Sequence, residues 1–186
     1  MQENTENTSE IDELVEKAVN GDGEAFGKLY DVYINRVYRH ISYRVGSRDD
    51  AEDLTQKTFI RAWDAMGRYK KTAVPFAAWL TRIAHNLVID FYRSRKPDTD
   101  IDFDTVTAAP EYDPEHLTEQ HFNQAEIRKA IRKLKGDQQQ VILMRFIDDF
   151  SYEEIAASLG KSEGAVRVIL HRGLTKLKTI IEKTQQ

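Results

Sequence analysis

The sequence has no cysteine, which excludes disulfide bridges and thiolate metal sites. Proline is scarce, and three of the four prolines (Pro97, Pro110 and Pro114) fall in one short stretch. Long apolar runs are missing. The longest uncharged one, AVPFAAWL at 73–80, is far shorter than the ~20 residues a membrane-spanning helix needs, so no membrane insertion is expected. Strand-like alternation of apolar and polar residues is also lacking. The first residues, MQENTENTSEIDE, are acidic and polar where a signal peptide would be basic and then apolar, so a cytoplasmic location is expected. No nucleophile–base constellation, glycine-rich phosphate loop or metal motif is found. His116 and His121 in HLTEQH are five apart beside a linker, a poor spacing for zinc. Neither a metal, nor a cofactor, nor catalysis is expected.

What is present is charge and helical periodicity. Charged residues make up 31% of the 186 positions and hydrophobic ones 40%, suiting one large or two small helical domains. The net charge of −4 is unevenly spread. Residues 1–60 hold 7 Lys/Arg against 13 Asp/Glu, whereas residues 61–96 hold 8 against 2. Residues 97–125 hold none against 8, and residues 126–186 hold 12 against 8. Two basic blocks separated by an acidic stretch suggest two contacts with a polyanion, with self-contact discouraged elsewhere. An acidic overall balance therefore does not argue against nucleic acid.

The periodicity predicts an all-α chain of two small helical domains joined by an acidic flexible linker. A short helix at about 10–20 (Ile11, Leu14, Val15, Ala18) ends at Gly21. Asp22 caps a long helix that stops at Gly46, Ser47 opens RDDAEDLTQKTFIRAWDAM, and Pro75 precedes FAAWLTRIAHNLVIDFYRSRK. The expected domains are 10–96 and 118–180, after a disordered terminus at 1–9 and before a tail at 181–186. Between them, 97–117 is proline-rich and free of basic residues, too polar to offset chain entropy by burial. In the second domain Ile127, Ala130, Ile131 and Leu134 mark a helix closed by Gly136, and Asp137 begins the next.

Three faces carry functional content. SYEEIAASLGKSEGAVRVILHRGL reads as a capped helix, a glycine turn and a longer second helix, the layout of a DNA-binding helix-turn-helix. Arg167, His171 and Arg172 would supply phosphate or base-edge contacts, and Val168 would meet a thymine methyl. An ordinary helical domain with basic surface helices is the bland alternative. In the third helix Ala51, Leu54, Thr58, Ala62 and Met66 form a core stripe, leaving Ile60 and Trp63 beside Glu52, Asp53 and Gln56. That reads equally as a protein-binding patch or as a face covered by a neighbouring helix. In the fourth, Phe76, Leu80, Ile83, Ala84, Leu87 and Phe91 face the core, while Trp79, Arg82, Asn86 and Arg93 share a neighbouring face with Asp90. Behind the basic, aromatic loop Arg68-Tyr69-Lys70-Lys71, this face suits unpaired DNA or, more plainly, a solvated surface with a half-buried Trp.

Taken together, DDAEDLTQKTFIRAW, FAAWLTRIAHNLVIDFYRSRK and QQQVILMRFIDDFSYEEIAASLGKSEGAVRVILHRG resemble bacterial RNA polymerase sigma factors of the extracytoplasmic-function (ECF) group. The resemblance covers sigma region 2 at about 10–96 and sigma region 4 at about 118–180. It implies that Asp53, Gln56, Ile60 and Trp63 bind the clamp helices of the largest polymerase subunit. It implies that Tyr69, Lys70, Trp79, Arg82, Asn86 and Arg93 melt and hold the −10 element, with Asn86 reading a base and Tyr69 and Lys70 lying in the loop that pockets a flipped base. Arg167, Val168, His171 and Arg172 are implied at the −35 element, near the polymerase flap. The linker is implied to thread toward the RNA exit path, and an anti-sigma factor is an implied further partner. Val168 and Ile169 depart from the small polar and basic residues usual in the family, Gly173 replaces a common alanine, and the 68–75 loop is slightly long. Two rival readings are a free-standing regulator binding duplex operators and a helical adaptor whose Trp63 face binds a protein. Neither needs the Trp79, Arg82, Asn86 and Arg93 face.

Overall fold

The computed structural model describes residues 3–70, 74–95 and 119–184, side chains 3–8 and 119–124 excepted. The proposed linker, Lys71 and His116 thus lie outside the described residues, as does the side chain of His121. Every regular element among the described residues is a helix: α1 (Glu3–Val19), α2 (Gly23–Ser42), α3 (Arg48–Met66), α4 (Phe76–Arg95), α5 (Glu119–Arg132), α6 (Gly136–Phe146), α7 (Tyr152–Leu159) and α8 (Glu163–Thr184).

Local chemistry explains most boundaries. The Asp22 carboxylate accepts from the amides of Glu24 and Ala25, and the Ser47 hydroxyl accepts from that of Asp50, so both cap the following helix. Ser151 and Glu154 form a reciprocal capping box at α7. Gly160 then adopts φ 62°, a left-handed turn that disfavours any residue with a Cβ and redirects the chain into α8. Three boundaries differ from expectation. Helix α1 starts seven residues early, at Glu3. Helix α2 ends at Ser42, four residues short of Gly46, with Tyr43 still right-handed at its cap. Gly136 is the first residue of α6, because Lys135 supplies the extended backbone at the cap position and the preceding turn closes at Lys133 and Leu134.

Helices α1 to α4 bury one core, in which Leu29, Ile41, Ala62, Met66, Leu80, Ala84 and Val88 are nearly inaccessible. Helices α5 to α8 form a second around Leu134, Val141, Met144, Ile155 and Val166. The two cores are not separate. Ala77 and Ala78 of α4 belong to the second, where Tyr33 and Val74 pack beside them. Their small side chains let α7 approach α4 closely.

Polar contacts extend this junction. His40 Nδ1–H donates to Asp148 Oδ2 at 2.7 Å, with both side chains buried. Arg39 reaches the carbonyl of Ile147 at 3.4 Å, and the Arg36 guanidinium lies 4.2 Å from the centre of the Phe150 ring. Arg132 of α5 donates to the carbonyl of Val45 at 2.9 Å. Fully buried, Arg44 donates from Nε to Gln139 Oε1 at 3.1 Å and from Nη1 to His85 Nδ1. A guanidinium has no acceptor, so His85 must be neutral with its proton on Nε2.

Burial, reinforced by the Arg44 charge and then by His40, lowers the His85 pKa to about 2. In the unfolded chain the imidazole takes a proton near pH 6.5, so between those values the unfolded state binds more protons. Stability present above pH ~6.5 is therefore lost progressively as the pH falls. Chemical unfolding followed from about pH 8 to about pH 5 is expected to show that decline, and His85→Gln, which keeps an acceptor for Arg44, to flatten it.

Candidate nucleic-acid and protein-binding surfaces

On α3, Thr55 and Thr58 turn their hydroxyls back to the carbonyls of Ala51 and Leu54, which lets polar residues sit in the core. The opposite stripe carries Asp53, Gln56, Ile60 and Trp63, all exposed. Ile60 is 61% accessible and Trp63 41%, unusual for such large apolar side chains. One side of the Trp63 ring rests on Phe26, at 5.0 Å between centroids, close over the open space left by Gly23. Covering by α2 is thus partial, and the outer side of the indole stays free. Asp53 is held by Lys57 at 2.6 Å and Glu52 by Arg48 at 2.7 Å, forming a polar border along the patch.

Residues 79, 82, 86 and 93 share a single face of α4, as their spacing requires. Arg82, Asn86 and Arg93 are exposed, whereas Trp79 is half-buried. Its ring lies 4.9 Å from Tyr69 and 5.4 Å from Phe76, and Tyr69 lies 5.6 Å from Phe76. The 68–70 loop is therefore brought onto the start of α4 by an aromatic cluster, with the Tyr69 hydroxyl 3.5 Å from the carbonyl of Val74. Burial raises the Tyr69 pKa, with Asp12 and then Tyr33 adding to it, so the phenol stays protonated. Lys70 is exposed at the loop's outer end. Asp90 lies between Arg61 at 3.6 Å and Arg93 at 3.9 Å, moderating the positive charge at one end of the face.

In the second bundle the Ser162 hydroxyl accepts from the Ala165 amide and Val166 and Leu170 are buried, so α8 presents its other side to solvent. Arg167, Val168, His171 and Arg172 are all exposed there, Val168 to 49%. Arg167 does not hang free. It donates to Glu163 at 3.2 Å and stacks 4.0 Å above the Tyr152 ring of α7, which fixes its direction before any ligand arrives. Gly173 is explained by packing: a Cβ there would lie 3.0 Å from Ile142 Cδ1 and 3.3 Å from Gln138 Cβ. The helix-propensity cost of about 1 kcal/mol is thus the condition for α8 to lie close against α6.

The sequence reading did not single out His40, Arg44, Gln139 and Asp148. The signal was available for two of them. Val37, His40 and Ile41 share one buried stripe of α2, and Arg44 continues the same spacing in the turn just beyond Ser42, so both basic residues fall on the buried side.

Truncation should separate scaffold from free surface on α4. Trp79→Ala is expected to lower unfolding stability by about 1–3 kcal/mol, because it opens the aromatic cluster. Arg82→Ala and Asn86→Ala are expected to stay within about 0.5 kcal/mol of the parent, measured by urea denaturation.

Comparison with known proteins fits this layout. The sigma-70 region 2 pattern matches residues 29–97, and the sigma-70 region 4 pattern matches residues 124–177. The chain is 37% identical to the ECF RNA polymerase sigma factor BldN of Streptomyces coelicolor over 91% of its own length, spanning 65% of that protein. It is 32% identical to the ECF RNA polymerase sigma factor SigX of Bacillus subtilis, over 86% of this chain and 84% of SigX. Among solved structures, CnrH in complex with the cytosolic domain of CnrY superposes with a TM-score of 0.70 at 26% identity, covering 91% of this chain and 96% of CnrH. With both halves matched in order and a fold built of region 2 and region 4 bundles, the chain belongs to the ECF sigma factors of RNA polymerase.

Proposed function

We propose that this chain is a non-catalytic initiation subunit, working in the cytoplasm, that divides its task among three surfaces. The α3 stripe of Asp53, Gln56, Ile60 and Trp63 docks on the clamp helices of the largest polymerase subunit. The observation that carries this reading is the exposure of Ile60 and Trp63, two large apolar side chains inside a polar border, which is the composition of a protein-binding centre. The α4 face, with Arg82, Asn86 and Arg93 exposed and Tyr69 and Trp79 packed at its head, holds the opened −10 strand, while Lys70 contacts its backbone. Because the rings are half-buried, Tyr69 and Trp79 act as the wall of a base pocket rather than as free stacking platforms. The exposed side of α8 enters the major groove at the −35 element, with Arg167 pre-aimed by Tyr152 and Glu163 and Val168 against a thymine methyl.

Each DNA surface alone is small, so selectivity arises when polymerase holds both at a set spacing. An anti-sigma factor is expected to act by covering these docking faces. Among the described residues no helix is long and apolar enough to cross a membrane.

Co-elution of the purified chain with core RNA polymerase tests the reading. Wild type is expected to co-elute, and Asp53→Arg with Trp63→Ala to abolish it. With promoters mapped, Asn86→Ala should alter discrimination within the −10 element, and Arg167→Ala should weaken −35 binding by about 1–3 kcal/mol. Failure to bind polymerase while duplex affinity persists would favour a free-standing regulator instead.

A further inference from the structure

The outward pole of α8 is apolar, although the helix is basic. At about 100° per residue, Val168 lies about 200° around the helix from the buried Val166 and about 160° from the buried Leu170. It is therefore the side chain aimed most directly away from the core, and it is 49% exposed. Arg167 is not at that pole. It stands about a quarter-turn to one side, tied to Glu163 at 3.2 Å and stacked on the Tyr152 ring at 4.0 Å.

Hydrogen-bonding groups are scarce along the same strip. Gly164 and Ala165, both exposed and one turn earlier, carry no polar side-chain atom. Thr175, two turns later, carries a hydroxyl, but it donates to the His171 carbonyl at 2.9 Å and is occupied within the helix. The exposed polar side chains nearest the pole, His171 and Arg172, stand one turn beyond Val168, one to each side. Packing within the chain does not call for glycine at 164, where a Cβ would meet only Ser162 Oγ, at 3.9 Å. The missing side chain instead lets the start of α8 come close to whatever lies against it.

These features select a ligand. Arg167 and Arg172 border the strip, and the first-turn carboxylate, Glu163, is paired with Arg167, which suits a polyanion over an apolar or basic partner. Against a base edge, valine can neither donate nor accept. The apolar feature of the major groove is the C5 methyl of thymine. A β-branched side chain on a helix is nearly fixed in χ1, so such a contact loses little freedom on forming. Valine is equally blind to the neighbouring ring substituent, whether the carbonyl of thymine or the amino group of cytosine. We propose that the α8 strip centred on Val168 is a methyl reader, which selects 5-methylpyrimidines in the −35 segment and takes 5-methylcytosine as well as thymine. This rests on the −35 reading above and adds a second class of base to it. Methylation of cytosine by a base-methylating enzyme would accordingly strengthen a site that carries cytosine at the position facing Val168.

The test uses holoenzyme reconstituted from the full chain and core RNA polymerase. A pool of duplexes randomised across the −35 segment yields a preferred sequence by selection. At each pyrimidine of that sequence, on either strand, thymine is compared with uracil opposite adenine, and 5-methylcytosine with cytosine opposite guanine, by competition binding. At one or two adjacent positions both methylated bases are expected to bind about fourfold more tightly than their unmethylated counterparts, the effect of one buried methyl. Val168→Ala, with helicity checked by circular dichroism, is expected to bring both ratios close to one. Equal affinity for thymine and uracil at every position, or a methyl preference that survives in Val168→Ala, would overturn the methyl reader. A preference for thymine over uracil with none for 5-methylcytosine over cytosine would overturn the second class of base. Failure to form holoenzyme would count against the sigma-factor reading alone. The same comparison on duplexes selected by the full chain by itself then decides the methyl reader, and recovery of no preferred duplex would overturn it.

Discussion

Helix α4 is buried on two sides, and the rest of the molecule is arranged around that constraint. Phe76, Leu80, Ala84 and Leu87 complete the first core, while Ala77 and Ala78 enter the second. What remains for solvent is a narrow strip bearing Arg82, Asn86 and Arg93. A helix clamped so closely cannot rotate, which is the property the proposed surface for separated bases requires. The same clamping explains why Trp79 and Tyr69 are ordered against each other before any nucleic acid is present.

The second bundle achieves rigidity differently, through turn chemistry. The capping box at Ser151, the left-handed Gly160 and the cap at Ser162 fix the angle between α7 and α8 within a few residues. Gly173 then allows α8 to press against α6. Arg167 inherits its direction from this frame, because Tyr152 sits at the start of α7 and Glu163 at the start of α8. Its conformational entropy is largely surrendered on folding rather than on binding.

Much of this was legible in the sequence because it rests on local signals. The caps at Asp22, Ser47, Ser151 and Ser162 follow from residue type and spacing, as do the core stripes of α3 and α4. The exposure of Ile60 and Trp63 was visible only as an ambiguity, since periodicity says which side of a helix is odd but not whether a neighbour covers it. The second buried side of α4 was hidden for a related reason: Ala77, Ala78 and Thr81 are small enough to read as neutral. The contact between bundles was misjudged. Block charges suggested that self-contact is discouraged, yet single residues decide it, and Asp148 lies in a net basic block while its partner His40 lies in a net acidic one. Pairing across 108 positions leaves no local trace.

The burial of Arg44 and of the His40–Asp148 pair has a consequence for ionic strength. Counterions reach neither group, so added salt leaves the contact between the bundles almost untouched. The exposed cations Arg82, Arg93, Arg167 and Arg172 are proposed to meet a polyelectrolyte, and attraction of that kind falls steeply as salt rises. On the proposed reading, added salt would therefore weaken DNA binding well before it loosened the packing of the two bundles.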